Sequence, residues 1–169
     1  MKIFETERTI LREVCTDDAE FILDLLNQPS FIKYIGDRNV RSVAGAVEYI
    51  ENRFTNSYRQ FGFGMWAVES KKTETPIGIC GFVKREYLPD ADIGFAFLPQ
   101  YCSQGYAFES ANAAMKYGRD VLGLKRVLAI TSQDNESSGR LLEKIGFKFD
   151  SLIKLPGETD KLKLFSSEA

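Results

Sequence analysis

Apolar residues along the chain follow two spacings, one typical of strands and one typical of helices. Short runs rich in β-branched and aromatic residues, bounded by Gly, Pro or charged residues, predict strands. Seven segments have this character: residues 6–14, 61–70, 76–86, 91–99, 125–131, 147–155 and 161–165. The second and third are joined by a short polar turn, which predicts antiparallel pairing.

Apolar residues at intervals of three and four predict four helices between these strands. Ser42 and Asn135 can cap the second and fourth helices, because their side-chain oxygens can accept hydrogen bonds from first-turn amides. Pro29 ends the first helix, while Gly123 and Gly146 can end the third and fourth. The predicted helices cover about residues 17–28, 42–58, 106–121 and 136–145.

This order of elements predicts an α/β (α+β) fold in which residues 1–169 form a single domain. The run of three strands at 61–70, 76–86 and 91–99 has short connections and should pair antiparallel. From residue 91 onward, strands alternate with helices, which predicts parallel crossovers. We therefore expect one central mixed sheet of six or seven strands with helices on both faces.

Composition narrows the possible functions. The chain has 22 basic and 24 acidic residues, a net charge of −2, and no basic run that would attract nucleic acid or an anionic membrane. Three cysteines, Cys15, Cys80 and Cys102, make a disulfide framework or zinc site unexpected and fit a reducing cytoplasm. No histidine is present, so catalysis by a Ser-His-Asp or Cys-His arrangement is excluded and no metal is expected.

The stretch PQYCSQGYAFESANA, residues 99–113, joins a predicted strand to a predicted helix. Free backbone amides at such a helix start can bind an anion, and the small residues Gly105 and Ala107 leave room for it. A tight turn would explain Gly105 equally well. The stretch lacks the Gly-Lys-Ser/Thr of a triphosphatase loop and the spaced glycines of a dinucleotide fingerprint, which disfavours both functions.

Four successive segments resemble the GNAT superfamily of N-acetyltransferases: DIGFAFLP, QYCSQGYAFES, LGLKRVLAIT and DNESSGRLLEKIGF. The start, ETERTILREVCTDDAEFI, resembles the branch that includes ribosomal-protein N-terminal acetyltransferases. In the loop, Gly105 and Ala107 match the last two positions of the family pattern Gln/Arg-x-x-Gly-x-Gly/Ala. Cys102 departs from it, standing where the family has Gln or Arg, or Trp in this branch.

The resemblance implies that acetyl-CoA is the co-substrate and that the loop holds its pyrophosphate on backbone amides without a metal. It also implies that the fourth and fifth strands of the sheet splay apart, so that the backbone at Phe97 and Leu98 pairs with the pantetheine arm. Asn135 matches the family's Asn that contacts the pantetheine or positions the substrate, and Ser138 matches the serine proposed to protonate the departing thiolate. The implied pyrophosphate-binding residues are Ser103, Gln104, Gly105, Tyr106, Ala107 and Phe108.

Removing a proton from the amine requires a base, and without histidine a carboxylate can act directly or through water. Asp92 is the first candidate because it begins the strand that should line the cleft, and Glu13 and Asp160 are alternatives. Each of these three carboxylates could equally be a solvated surface acid. Likewise, Asn135 could be only a helix cap, and Ser138 could only hydrogen-bond an amide of the first turn.

The acceptor is expected to be a primary amine, either a peptide N-terminus or a small molecule. The segment 29–37, with Phe31 and Tyr34, could form one wall of its site, although core packing explains these aromatic residues equally well. We expect a monomer or homodimer that binds neither nucleic acid nor membrane. A non-catalytic acyl-CoA-binding sensor or partner module is the alternative function.

Overall fold

The fold is built on one mixed sheet of eight strands in a computed structural model that describes residues 1–168. In chain order the strands are β1 (Lys2–Glu5), β2 (Thr9–Glu13), β3 (Met65–Ser70), β4 (Pro76–Val83), β5 (Asp92–Phe97), β6 (Arg126–Ser132), β7 (Lys148–Ile153) and β8 (Leu162–Glu168). The helices are α1 (Ala19–Leu26), α2 (Pro29–Tyr34), α3 (Val43–Tyr49), α4 (Asn56–Phe61), α5 (Tyr106–Asp120) and α6 (Glu136–Lys144).

The strand order across the sheet is β1-β2-β3-β4-β5-β6-β8-β7. Within residues 1–168 every neighbouring pair is antiparallel except β5 and β6, which confirms the parallel crossover through α5. Strand β7 also runs in the direction of β6, as expected of a second crossover. However, β8 lies between them and pairs with both, so the crossover through α6 skips one position in the sheet.

The expected count of six or seven strands was too low by the edge strand β1. Its four residues are too short to give a reliable strand pattern, and it forms by pairing with β2. Phe4 also packs against the rings of Trp66 and Tyr117, at centroid distances of 5.8 and 5.1 Å. These are contacts over long sequence separations, which local periodicity cannot reveal.

The helical region before β3 differs from the expectation in two places. Pro29 does not only end the first helix; it also stands at the first turn of α2, where its missing N–H costs nothing. The helix capped by Ser42 continues to Phe61 because a π-helical segment, Ile50–Thr55, joins α3 to α4. The cap itself is confirmed, since the Gly45 amide donates to Ser42 Oγ at 3.0 Å.

Helices cover both faces of the sheet, as predicted. One cluster of buried side chains joins α5 and α6 to one face through residues such as Trp66, Phe82 and Ala111. The other joins α1 to α4 to the opposite face through residues such as Ile22 and Ile79. No helix within residues 1–168 has the length and apolarity needed to span a bilayer.

Helix α5 lies close against the sheet because its inward face is made of small residues. Ala111, Ala114 and Gly118 are buried along this face. A Cβ atom at Gly118 would lie only 2.9 Å from Cζ of Phe82. Close packing therefore sets the position of α5, including its N-terminal turn.

Candidate functional site

The β5–β6 wedge, the gap between residues 93–97 and 129–132, is the first feature of the site. The two strands share one register position, Asp92 opposite Leu128, and the Leu128 amide donates to the Ala91 carbonyl oxygen at 2.9 Å. Beyond that position no further pair joins β5 to β6 within the described residues. The splay expected between these strands is therefore present.

The backbone of β5 presents alternate residues to the wedge. The Leu98 amide donates to the Ile77 carbonyl oxygen at 3.0 Å, so it is committed to β4. Because backbone groups of successive strand residues point to opposite edges, the N–H and C=O of Phe97 and Phe95 face β6. Of the two residues expected to pair with a pantetheine arm, Phe97 offers a free backbone N–H, while its carbonyl oxygen lies 3.8 Å from Cys102 Sγ and the Leu98 amide is bound to β4.

A buried hydroxyl lies beside this gap on β6. Thr131 is three residues past the paired position, level with Phe95 across the wedge. Its Oγ1 is buried and has no hydrogen-bond partner within residues 1–168. A buried polar atom without a partner is rare, and a bound polar group would satisfy it.

The loop at the open end of the wedge has the geometry of an anion site. A 3₁₀ turn, Pro99–Tyr101, leads to Ser103 and Gly105, whose φ angles of 61° and 85° are left-handed. Gly105 is the N-cap of α5, and its carbonyl accepts from the Glu109 amide at 3.0 Å. The first amides of the helix, beginning with Tyr106, therefore have no partner inside the helix.

Arg8, in the turn between β1 and β2, holds this loop from one side. Its Nη1 donates to the Gln104 carbonyl oxygen at 3.0 Å, and its Nε donates to Glu109 Oε1 at 2.7 Å. Its Cζ lies 4.2 Å from the ring centroid of Tyr106. A Cβ atom at Gly105 would lie 3.2 Å from Nη2 of Arg8, so the absent side chain makes room for the guanidinium group.

Glu109 is the partner that keeps Arg8 in place. Burial would raise the pKa of its carboxyl group, but hydrogen bonds from the Thr6 hydroxyl and from Arg8 outweigh burial and lower the pKa. The carboxylate is therefore ionised at neutral pH and accepts hydrogen bonds through both oxygens.

Asn135 and Ser138 lie at the start of α6, directly after β6. Asn135 Oδ1 accepts a hydrogen bond from the Ser138 amide at 3.3 Å, so Asn135 is a helix cap as the sequence suggested. This bond is made by the backbone amide of Ser138, and the Ser138 hydroxyl takes no part in it. Because α5 and α6 begin at the carboxyl ends of two neighbouring parallel strands, both helix starts lie at one edge of the sheet, where ligands bind in open α/β sheets.

Asp92 lies at the other end of β5, where the wedge closes. Its carboxylate is buried and accepts a hydrogen bond from Arg85 Nε at 2.9 Å. Burial raises the pKa of Asp92 above its ordinary value, while the charge of Arg85 acts in the opposite direction. Asp92 is thus no solvated surface acid.

The remaining residues that the sequence suggested differ in burial and in position. Cys102 is exposed, with its Sγ 3.6 Å from the Leu98 carbonyl oxygen, so it is not a residue of the buried core. Phe31 is buried against the helical layer, which assigns it to the core. Glu13 is half-buried near the end of the sheet away from the loop, and Asp160 is exposed before β8.

A surface groove of about 690 Å³ runs along α5 beside the loop. It is bordered by the β1–β2 turn on one side and, on the other, by β8 and the residue directly after α6. Its lining includes Arg8, Gly105, Phe108, Asn112, Lys116 and Ile145. Phe108 also lies 4.6 Å from Lys144 Nζ, measured to its ring centroid. Among residues 1–168 there is no cluster of three His, Cys, Asp or Glu side chains placed to hold a metal ion.

The family profile described as "Acetyltransferase (GNAT) domain" matches residues 8–148. The chain belongs to this family. The profile covers the wedge, the loop and the start of α6, so the GNAT resemblance of those segments is confirmed and the protein is an acetyltransferase.

Relatives of this GNAT protein agree with the assignment. The uncharacterized N-acetyltransferase YoaA of Bacillus subtilis is 33% identical over 153 residues, which cover 90% of this chain and 86% of that protein. RimL, the ribosomal L7/L12 alpha-N-protein acetyltransferase, was solved in complex with coenzyme A and superposes with a TM-score of 0.85. It is 15% identical, covering 99% of this chain and 98% of that one.

Ribosomal-protein-S5-alanine acetyltransferase from Vibrio fischeri also has this fold. Its TM-score is 0.81 at 17% identity, covering 99% of this chain and 96% of that one. At such identities these structures establish a common fold, and they are consistent with the resemblance to the ribosomal-protein branch of the GNAT family.

Sequence reasoning missed three residues of the site: Arg8, Glu109 and Thr131. Arg8 lies within the quoted segment ETERTILREV, but nothing in the sequence pairs it with a residue about 100 positions later. Thr131 was assigned only as the end of a strand. An unpartnered buried hydroxyl becomes visible only when all its neighbours are known.

Proposed function

We propose that this protein transfers the acetyl group of acetyl-CoA directly to the nitrogen of a primary amine. The observation that carries the proposal is the continuity of two features, the β5–β6 wedge and the free amides at the start of α5. The wedge offers strand-like backbone partners, and the helix start offers donors for an anion at its open end. A molecule with an extended amide-containing arm and a pyrophosphate matches both.

Acetyl-CoA is expected to bind with its pyrophosphate on the amides of residues 103–108 and its pantetheine arm along the wedge. The free backbone N–H of Phe97 supports this arrangement, as does the unpartnered hydroxyl of Thr131. Asn135 Nδ2 is available to the arm, because its Oδ1 is occupied by the Ser138 amide. No metal is needed to bind the phosphates in this scheme.

The reaction needs no covalent enzyme intermediate if both substrates are held in the wedge. An ammonium first gives up a proton, and its nitrogen then forms a C–N bond to the thioester carbon. The nitrogen loses a second proton as the C–S bond breaks, and the thiolate takes up one proton. We assign the base to Asp92, acting through water, and the donor to the thiolate to Ser138.

The class of acceptor amine is inferred from the names of structural neighbours. RimL and the S5 acetyltransferase, by their names, act on ribosomal proteins, which favours a peptide N-terminus. A small-molecule amine remains the other class of acceptor. The unpaired cysteines Cys15, Cys80 and Cys102 support a cytoplasmic setting.

The decisive experiment is an acetyl-CoA-dependent thiol-release screen against peptides with different N-terminal residues, polyamines, amino sugars and amino acids. Amine-dependent release of CoA is the expected result. If no amine raises release above background while calorimetry shows tight CoA binding, the protein is an acyl-CoA-binding module instead. The departure at Cys102 and the ion pair that occupies Asp92 are the features that favour this second function. Binding of ATP but not CoA would contradict both.

A further inference from the structure

The loop that would receive the pyrophosphate is held by a residue from the opposite end of the sequence. Arg8 contacts it on both sides of Gly105, at the Gln104 carbonyl oxygen before it and at Glu109 after it. The Arg8 amide adds a third bond, to Glu109 Oε2 at 3.0 Å. One residue of the β1–β2 turn therefore connects the loop to the first turn of α5.

The loop needs such support because its backbone is strained. Ser103 has a left-handed φ of 61°, which is unfavourable for a residue with a side chain. Gly105 adopts φ of 85° beside it. Conformations of this kind persist when surrounding contacts determine them, and the Arg8 contacts to Gln104, Glu109 and Tyr106 lie directly next to them.

The contacts of Arg8 depend on the shape of its guanidinium group as well as on its positive charge. Nε and Nη1 donate to two different groups, a carboxylate and a carbonyl, and Cζ lies 4.2 Å from the Tyr106 ring centroid. A lysine has a single ammonium group on a flexible stem and cannot reproduce this planar fork. Geometry and charge can therefore be separated by substitution.

We propose that Arg8 is a positioning residue for co-substrate binding: it fixes the left-handed Gly105 cap so that the first amides of α5 converge on the pyrophosphate. This inference rests on the proposed acetyl-CoA site. Its action is indirect, since the charge of Arg8 is paired with that of Glu109. The loss of Arg8 should affect ligands that carry the pyrophosphate and spare the chemistry at the far end of the wedge.

The test is titration calorimetry of CoA with the wild type, Arg8→Ala, Arg8→Lys and Arg126→Ala. Arg126 is the matched control, because it forms an ion pair with Asp90 of similar length and exposure at the start of β6, away from the loop. We expect Arg8→Ala and Arg8→Lys to weaken CoA binding about tenfold, the equivalent of one charge-assisted hydrogen bond, and Arg126→Ala to bind as the wild type does.

Each outcome has a distinct meaning. If the wild type does not bind CoA, the proposed function fails. If the wild type binds but Arg8→Ala binds equally well, the positioning role is wrong. If Arg8→Lys binds like the wild type while Arg8→Ala does not, charge alone matters, and the geometric proposal is overturned. Should Arg8→Ala fail to fold, Glu109→Gln removes the charge that orients Arg8 and must also weaken CoA binding.

Kinetics give a readout that a general loss of stability would not produce. With an amine identified by the screen, Arg8→Lys should raise KM for acetyl-CoA about tenfold and leave kcat at saturating acetyl-CoA within about twofold of the wild type. A variant that lowers kcat and leaves KM unchanged would show that Arg8 does not act through the phosphate loop.

Discussion

Gly105 meets two requirements at once. Its φ of 85° is one that side-chain-bearing residues rarely adopt, and its missing Cβ leaves space for the Arg8 guanidinium 3.2 Å away. The sequence explained the missing side chain at Gly105 by the room that a phosphate needs. The structure adds a second explanation, the room that Arg8 needs on the side of the loop that faces the β1–β2 turn.

Replacing Gly105 by valine should weaken CoA binding by roughly 1–3 kcal/mol, because the strained cap shifts and a hydrogen bond to phosphate is lost. Titration calorimetry measures this change. Gly123→Val is the matched control: Gly123 is also left-handed, at φ of 70°, but it lies beyond the other end of α5 and a Cβ there meets nothing within 4 Å. If Gly105→Val folds and binds CoA like the wild type, the loop assignment is wrong.

Ser138 and Asn135 should respond differently to truncation. Ser138→Ala should lower kcat by about ten- to a thousandfold and leave acetyl-CoA affinity unchanged, because its proton is useful only as the C–S bond breaks. Asn135→Ala should lower both stability, by about 1 kcal/mol through the lost cap, and acetyl-CoA affinity. Steady-state kinetics with a good acceptor and thermal unfolding measure these effects.

Ser137 provides the control for Ser138, since it is exposed on the same helical turn. Ser137→Ala should behave as the wild type does. Full turnover by Ser138→Ala would make Ser138 a structural residue, and the thiolate would then have to be protonated by water or another group.

At the scale of elements, β5 connects the two ends of the proposed chemistry. Its carboxyl end leads into the loop before α5, and Asp92 at its amino end pairs with Leu128 where the wedge closes and forms an ion pair with Arg85. Asp92 and Leu98 are six residue steps apart along extended backbone, a distance of about 20 Å. Asp92 can thus serve only the reacting end of an extended co-substrate, never its phosphates.

Asp92→Asn should lower kcat by about 10²- to 10⁴-fold if Asp92 is the base. Burial raises the pKa of Asp92, and only the ionised form can take a proton, so wild-type kcat should rise with pH through that elevated pKa. The variant should lose this acidic limb of the profile. A pH series of kcat at saturating substrates measures both effects.

Asp90→Asn is the control, because Asp90 forms an exposed ion pair two residues earlier. Asp92→Asn also leaves the Arg85 guanidinium without its partner, so thermal unfolding must accompany the kinetics. A folded Asp92→Asn protein with wild-type kcat and an unchanged pH profile would identify the Arg85 pair as purely structural.

Across the whole molecule, Arg12 ties the sheet to the helical layer. Its Nη1 and Nη2 donate to the two carboxylate oxygens of Asp18, both at 2.9 Å, and its Nε donates to Glu69. The Cys15 amide donates to Asp18 as well. Burial would raise the pKa of Asp18, but these hydrogen bonds outweigh burial and lower it.

A lowered pKa in the folded state means that Asp18 stabilises the protein above its unfolded pKa of about 4. This stability is lost as the pH falls below 4 through the folded pKa. Asp18→Asn should therefore lower the free energy of unfolding by about 1.5–3 kcal/mol at pH 7 and have a smaller effect in acid. Urea unfolding at pH 7 and at about pH 3 measures this difference.

The exposed neighbour Asp17 supplies the comparison, and Asp17→Asn should change stability little at either pH. An equal loss of stability for Asp18→Asn at both pH values would contradict the role assigned to its ionised form.

Much of the fold could be predicted because its signals are local. The caps at Ser42 and Asn135 and the left-handed Gly105 depend on residues within a few positions, and all three are present. Strand β1 could not be predicted, because its four residues become a strand only against β2, Trp66 and Tyr117. The π segment was also missed, since its sequence is compatible with an ordinary helix.

The sequence by itself determined the order of strands and helices, the loop of small residues before α5 and, through its resemblance, the GNAT family. Tertiary structure alone decided at which position β5 pairs with β6, that Asp92 is buried against Arg85, and that Arg8 reaches Glu109 across 101 positions. The physical reason is the distance along the chain over which each interaction acts. Hydrophobic spacing and caps act between residues close in the chain, whereas burial, charge pairing and strand separation depend on which distant segments the topology brings together.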